Sequence, residues 1–138
     1  MWKYNSTTGD MLTPEGFKIG VCYSGHGAGL NNPSMENVRG VGPIPRGFYQ
    51  FGEFFDDLPP SPPDGNHHKG PMVCHLVCVH KNADGEWEDC PAPYGRSGFM
   101  LHGDNGAQNH TASDGCIIAA RFIRAKCSTS TDKIIEVV

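Results

Sequence analysis

The chain has 138 residues, among them 18 glycines and 11 prolines, and its 11 Lys and Arg against 15 Asp and Glu give a net charge of -4. This length forms one domain, residues 1–138, and Gly and Pro interrupt nearly every window longer than about ten residues, which excludes a long helical bundle and leaves a turn-rich, mainly β chain. With no Lys/Arg cluster and no apolar run near the ~18 residues of a membrane span, neither nucleic-acid binding nor membrane insertion is expected.

In chain order, Trp2–Tyr4 and Phe17–Tyr23 read as short strands separated by the Gly9-Asp10 turn and Pro14. The opening residues lack the apolar stretch of a signal peptide. Ser24–Pro33 is a glycine-rich loop. Its Gly25-x-Gly27-x-Gly29 spacing is not a dinucleotide fingerprint, because Asn31-Asn-Pro33 blocks the helix that must follow. Gly42-Pro-Ile-Pro-Arg-Gly47 is a rigid entry to a strand over 48–55, and Asp56–Gly70, with Pro59, Pro60, Pro62, Pro63 and the His67-His68 pair, is an extended surface loop or lid.

Met72–His80 is rich in β-branched residues and reads as a strand, with a hairpin turn at Asn82–Gly85 after it and an irregular stretch at Cys90–Pro93. Phe99–His102 is a short apolar strand. Ile117, Ile118, Phe122 and Ile123 recur at helical spacing and predict one short helix directly after Cys116; Ile134–Val138 closes the chain as a strand.

The six cysteines are Cys22, Cys74, Cys78, Cys90, Cys116 and Cys127. Cys74 and Cys78 lie ~13 Å apart along one strand and cannot pair with each other. They share a strand face with His80, but no second ligand pair follows at zinc spacing, so no metal is expected. The five cysteines other than Cys116 cannot all pair within one chain.

The residues that carry chemistry lie between Phe99 and Ile118. A cysteine after Gly115 at the start of an apolar helix would have its thiol pKa lowered by the helix dipole, and the Gly115 and Cys116 N–H groups would form an oxyanion hole. No histidine follows Cys116, so its base lies upstream. His102, at a strand end, is the first choice, and His110, in a polar loop, is the second. The opposing reading makes Cys116 a buried apolar residue of a non-catalytic module.

The set Tyr23-Ser-Gly25, Asn31-Asn-Pro33, Gly42-Pro-Ile-Pro-x-Gly47, His102-Gly-Asp104 and Ser113-Asp-Gly-Cys-Ile117 resembles the YkuD-like L,D-transpeptidases, and within them the toxin effectors of type VI secretion systems. It departs from the classical enzymes at Asp114, where they usually carry His. The resemblance implies a mainly β, sandwich- or barrel-like domain with one short helix after the catalytic cysteine. It implies Cys116 as nucleophile, His102 as base, the Gly103 carbonyl orienting the imidazole, and Ser113 shaping the site. Arg121, Arg46, Tyr23, Asp104 and Asp114 are the candidate substrate contacts. The implied reaction is L,D-carboxypeptidase cleavage or D-amino acid exchange on peptidoglycan tetrapeptide stems, without a cofactor. The implied partners are a cognate immunity protein and the secretion machinery, with action in the target-cell periplasm. The alternative is a peptidoglycan-binding or inhibitor module on the same fold.

Overall fold

The computed structural model describes residues 1–58, 69–104 and 108–138. The Pro59–Pro63 run, His67 and His68 fall outside the described residues.

The described strands are β1 (Trp2–Tyr4), β2 (Asp10–Leu12), β3 (Lys18–Val21), β4 (Tyr23–Ser24), β5 (Gly47–Phe51), β6 (Phe55–Asp57), β7 (Gly70–Lys81), β8 (Trp87–Asp89), β9 (Met100–His102), β10 (Ile117–Ile118) and β11 (Ile134–Val137). One α-helix, α1 (Arg121–Thr129), lies between β10 and β11. The fold is therefore mainly β with one short helix after Cys116, as the sequence indicates.

The sheet is mixed and open, in the order β3-β2-β1-β11-β5-β7-β9-β10-β4. Its two ends are β3 and β4, which only Cys22 separates in the chain. The ladder therefore curls until its edges are covalent neighbours, without closing in hydrogen bonds. Inside that curl lies one apolar cluster that includes Tyr4, Met11, Tyr49, Phe51, Leu101, Ile117 and Ile135, joined by Ile123 and Cys127 of α1.

The spine is β7, twelve residues of GPMVCHLVCVHK with Val73, Cys74, Leu76 and Val79 buried. β5 and β6 pair along one edge of it, and β8 and β9 along the other. Such double pairing suits a strand rich in β-branched and apolar side chains. The turn at Asn82–Gly85 forms as expected, closed by the Asn82 N–H to the Glu86 carbonyl at 2.8 Å.

Three local expectations are corrected. Ile117 and Ile118 are strand, not helix: β10 pairs with β9 on one edge and β4 on the other, and both isoleucines are buried. β-branched side chains between two ladders stay extended, and α1 begins only after Ala119-Ala120. Asp10, expected in a turn, starts β2. Cys78 forms a disulfide with Cys90, which removes it as a metal ligand, and His80 pairs with Glu88 at 3.0 Å. Cys22, Cys74, Cys116 and Cys127 remain thiols.

Candidate functional site

β9 and β10 run parallel, with Leu101 opposite Ile117 and His102 opposite Ile118. That register sends Leu101 and Ile117 into the core and puts His102 and Ile118 on the other face. Cys116 stands one residue before β10. Extended backward, the register sets it beside Met100, whose backbone N–H faces the Cys116 sulfur and favours its thiolate. Cys116 and His102 are therefore diagonal neighbours on one sheet face, a relation that spans roughly 7–8 Å between backbones and is within reach of long side chains.

His102 is 2% exposed, and its Nδ1 lies 2.7 Å from the Gly103 carbonyl oxygen. A carbonyl only accepts, so Nδ1 carries the proton and donates. In the neutral imidazole this leaves Nε2 as the acceptor.

Ser113 is fully buried and its hydroxyl holds the turn that leads to Cys116. Ser113 Oγ donates to the Cys116 carbonyl at 2.6 Å and accepts from the Gly25 N–H at 2.9 Å and the Gly115 N–H at 3.1 Å. The Gly115 N–H, expected to be an oxyanion donor, thus already has an acceptor. Ser24 adds a second tie: its Oγ donates to the Gly115 carbonyl at 3.0 Å and accepts from the Ile44 N–H at 2.8 Å. His26 Nδ1 donates to the Ser113 carbonyl at 2.8 Å and stands 3.4 Å from the exposed Asp114 carboxylate.

Arg96 locks the same turn from the other side. It is 4% exposed, and its guanidinium donates to the carbonyls of Glu36, Gly42, Pro43 and Asp114 at 2.6–3.1 Å. Gly115 has φ +136°, and a Cβ there would stand 2.6 Å from Arg96 Nη2 and 3.0 Å from the Phe99 ring. Glycine is needed at this position for Arg96 and Phe99 to pack.

Burial pushes the Cys116 thiol pKa up. The Met100 N–H and the positive charges of Lys69 and Arg96 pull it down, but they do not win. The expected lowering by a helix dipole does not apply, because α1 starts five residues later. The thiol needs a base to become a nucleophile.

Two cavities flank these residues. Cys116 and Asp114 line one of about 320 Å³ with Arg39, Arg96 and Phe99. Gly103, Tyr23, Asp104 and Arg121 line a second of about 490 Å³ with Lys69 and Arg124. In the second, Tyr23 donates its hydroxyl to Asp104 at 2.7 Å, and His110 packs edge-on against the Tyr23 ring at 4.8 Å. Arg46 lines neither cavity. It is bound to Glu36 through its Nη2 at 2.9 Å and its backbone N–H at 2.7 Å. Among the described residues no three His, Cys, Asp or Glu side chains gather as a metal site.

The sequence reading missed Arg96, Arg124, Lys69 and His26. Arg96 and His26 act through partners far away in the chain, Arg124 through Pro71 as well as its near neighbour Ala119, and only the glycines around Arg96, Gly95 and Gly98, set that residue apart locally.

The family model described as the Tlde1 domain matches residues 19–135. No curated protein and no solved structure matches the chain. The match spans most of the chain, which therefore belongs to the Tlde1 domain family, a family of antibacterial type VI secretion effectors delivered into target cells. Among the described residues no helix is long and apolar enough to cross a membrane.

Proposed function

Taking that membership as the premise, we propose that the chain is a cysteine acyl-transfer toxin of peptidoglycan. It removes the terminal D-Ala from tetrapeptide stems or exchanges it for another D-amino acid in the target periplasm. The observation that carries this reading is the His102 imidazole held by the Gly103 carbonyl, with Nε2 left as a base on the face that bears Cys116.

His102 Nε2 takes the Cys116 thiol proton as the sulfur attacks the carbonyl of the stem's third residue, a diamino acid. The carbonyl oxygen becomes an oxyanion, for which the Cys116 N–H is the donor, since the Gly115 N–H is given to Ser113. Collapse breaks the amide bond, and the leaving D-Ala amine takes the proton from His102. The thioester is then opened by water or by a D-amino acid amine. The attacking group gives a proton to His102, which returns it to the sulfur. Gly103 holds the ring in one tautomer throughout, the orienting role of a triad's third member. Ser113 positions the turn, and Asp114 and Arg121 are the rim residues best placed for substrate. Tyr23 and Asp104 shape the second cavity, while Arg46, held by Glu36, supports the scaffold. Delivery of such a toxin requires secretion components, and a producer protects itself with an immunity protein.

One observation favours a second reading. A thiol whose pKa is raised by burial is unreactive at neutral pH unless a base acts on it. A non-catalytic wall-binding module predicts Cys116 inert to iodoacetamide at pH 7 and muropeptide binding without turnover. The enzyme reading predicts alkylation of Cys116 that slows on His102→Ala. Incubation with disaccharide tetrapeptides, read by mass spectrometry for loss or exchange of D-Ala, decides the activity itself.

A further inference from the structure

The second cavity carries three cations against one carboxylate. Lys69, Arg121 and Arg124 all line it with Asp104, which accepts from the Tyr23 hydroxyl, and among the described residues none of the three cations forms an ion pair. Arg124 is the unusual member because it is only 5% exposed. Its Nη1 donates to the Ala119 carbonyl at 2.6 Å and its Nε to the Pro71 carbonyl at 3.2 Å, while no described residue accepts from Nη2.

The chain makes room for this guanidinium. A Cβ on Gly103 would stand 2.9 Å from Nη1, and one on Gly70 would stand 3.0 Å from Nη2. Burying a cation against carbonyls alone leaves much of its desolvation cost uncompensated, and an anion in the cavity would offset it.

The start of α1 opens on the same space. Ala119, Ala120 and Arg121 line the cavity, the N-cap Ala120 offers no side-chain acceptor, and the first turn holds no acidic residue. The N–H groups of Ile123 and Arg124 go to the Ala120 carbonyl, so those of Arg121 and Phe122 are the donors with no partner inside the helix. Uncapped N–H groups, the positive end of the helix dipole and a buried guanidinium with a spare donor form an anion cradle.

We infer that this cavity binds a chain-end carboxylate, held by Arg124 Nη2, the Arg121 and Phe122 N–H groups, and the Lys69 and Arg121 side chains. Resting on the proposed function, that carboxylate is the C-terminus of the stem peptide. Gly103 ties the two sites together: its carbonyl holds His102 while the residue also lines the cavity.

The test uses the full chain as Cys116→Ala, so that binding is read apart from turnover. N-acetyl-D-alanine, N-acetyl-D-alaninamide and inorganic phosphate are titrated separately while the backbone amide resonances of Arg121 and Phe122 are followed. The expected result is a saturable shift with the acid, none with the amide, and weaker binding of phosphate. Lys69→Gln with Arg121→Gln, both at the cavity rim, should weaken the acid at least tenfold. Equal response to acid and amide, response to neither, tighter binding of phosphate, or an unchanged affinity in the double variant overturns the site. Turnover of tetrapeptides by the wild-type chain without the acid shift removes this site and leaves the proposed function standing. The shift without turnover does the reverse.

Discussion

His102 donates through Nδ1 to the carbonyl of its own neighbour, Gly103, at 2.7 Å, and this contact defines the ring's chemistry. With the Nδ1 proton fixed, Nε2 is the nitrogen that the proposed reaction assigns to accept from Cys116, one strand away in the parallel register of β9 and β10. The orienting group is backbone, so no side-chain substitution at Gly103 deletes it. Substitution there instead forces a Cβ against Arg124 and the Lys69 carbonyl, and disturbs the wall of the cationic cavity.

Ser113→Ala removes three hydrogen bonds from a fully buried hydroxyl and leaves the Gly25 and Gly115 N–H groups and the Cys116 carbonyl without it. The expected cost is about 2–4 kcal/mol of stability, since each orphaned buried group loses roughly 1–3 kcal/mol less relaxation. Chemical denaturation measures it. Because Ser113 acts through the turn, kcat should fall more than KM rises, and the iodoacetamide rate at Cys116 should change with it.

Arg96→Met keeps the side-chain length but withdraws the guanidinium from four carbonyls in two loops. A loss of about 2–4 kcal/mol is expected, because buried carbonyls lose their hydrogen bonds from a charged donor. Gly115→Ala should act on the same contact from the other side, because its Cβ would meet Arg96 Nη2 and its φ disfavours a side chain. The double variant should therefore cost less than the sum of the singles, which a double-mutant cycle reads directly.

The Cys78–Cys90 bridge spans 12 residues of the β7–β8 hairpin and fixes the segment that leads to Arg96. Loop-closure entropy for that length is worth about 3 kcal/mol. Thermal unfolding with and without reductant, repeated on Cys78→Ser with Cys90→Ser, should show the same drop in midpoint, and the double variant should no longer respond to reductant. The buried Cys22 and Cys74 thiols, pushed up to about 12 by burial, should stay unalkylated in the native protein.

Glu36 gives the fold an acid-sensitive tie. Burial pushes its carboxyl pKa up, but hydrogen bonds from the Arg46 side chain and backbone, the Arg46 charge and the Tyr94 hydroxyl outweigh this and hold it below the usual value. A depressed folded pKa stabilises fully above the unfolded pKa, near 4.3, and that stability is lost as the pH falls through the folded value. Glu36→Gln should cost about 1–3 kcal/mol at pH 7, discounted because Arg46 is half exposed, and the gap to wild type should close below about pH 4.

What the sequence revealed follows from how local each signal is. β7 was legible because twelve residues carry their own pattern, and the Asn82–Gly85 turn because its residues specify it. Ile117 and Ile118 also satisfy a helical period, and what makes them strand is β4 and β9, brought in from residues 23–24 and 100–102. The pairing of Cys78 with Cys90 depends on hairpin register, which spacing alone does not give. The contact of His102 with the Gly103 carbonyl was legible from their adjacency, but the electrostatics of the Cys116 thiol were not. The expected helix dipole is absent and burial takes its place. Arg96 and Arg124 stayed hidden because their partners are carbonyls, which leave no trace in a sequence.

The most direct test of the central claim is mass spectrometry of disaccharide tetrapeptides incubated with the wild-type chain, Cys116→Ala and His102→Ala. The account predicts loss or exchange of the terminal D-Ala by wild type, none by Cys116→Ala, and a rate lowered about 10²–10⁴-fold by His102→Ala. Unchanged tetrapeptides with folded wild-type protein, or full activity in Cys116→Ala, would contradict it.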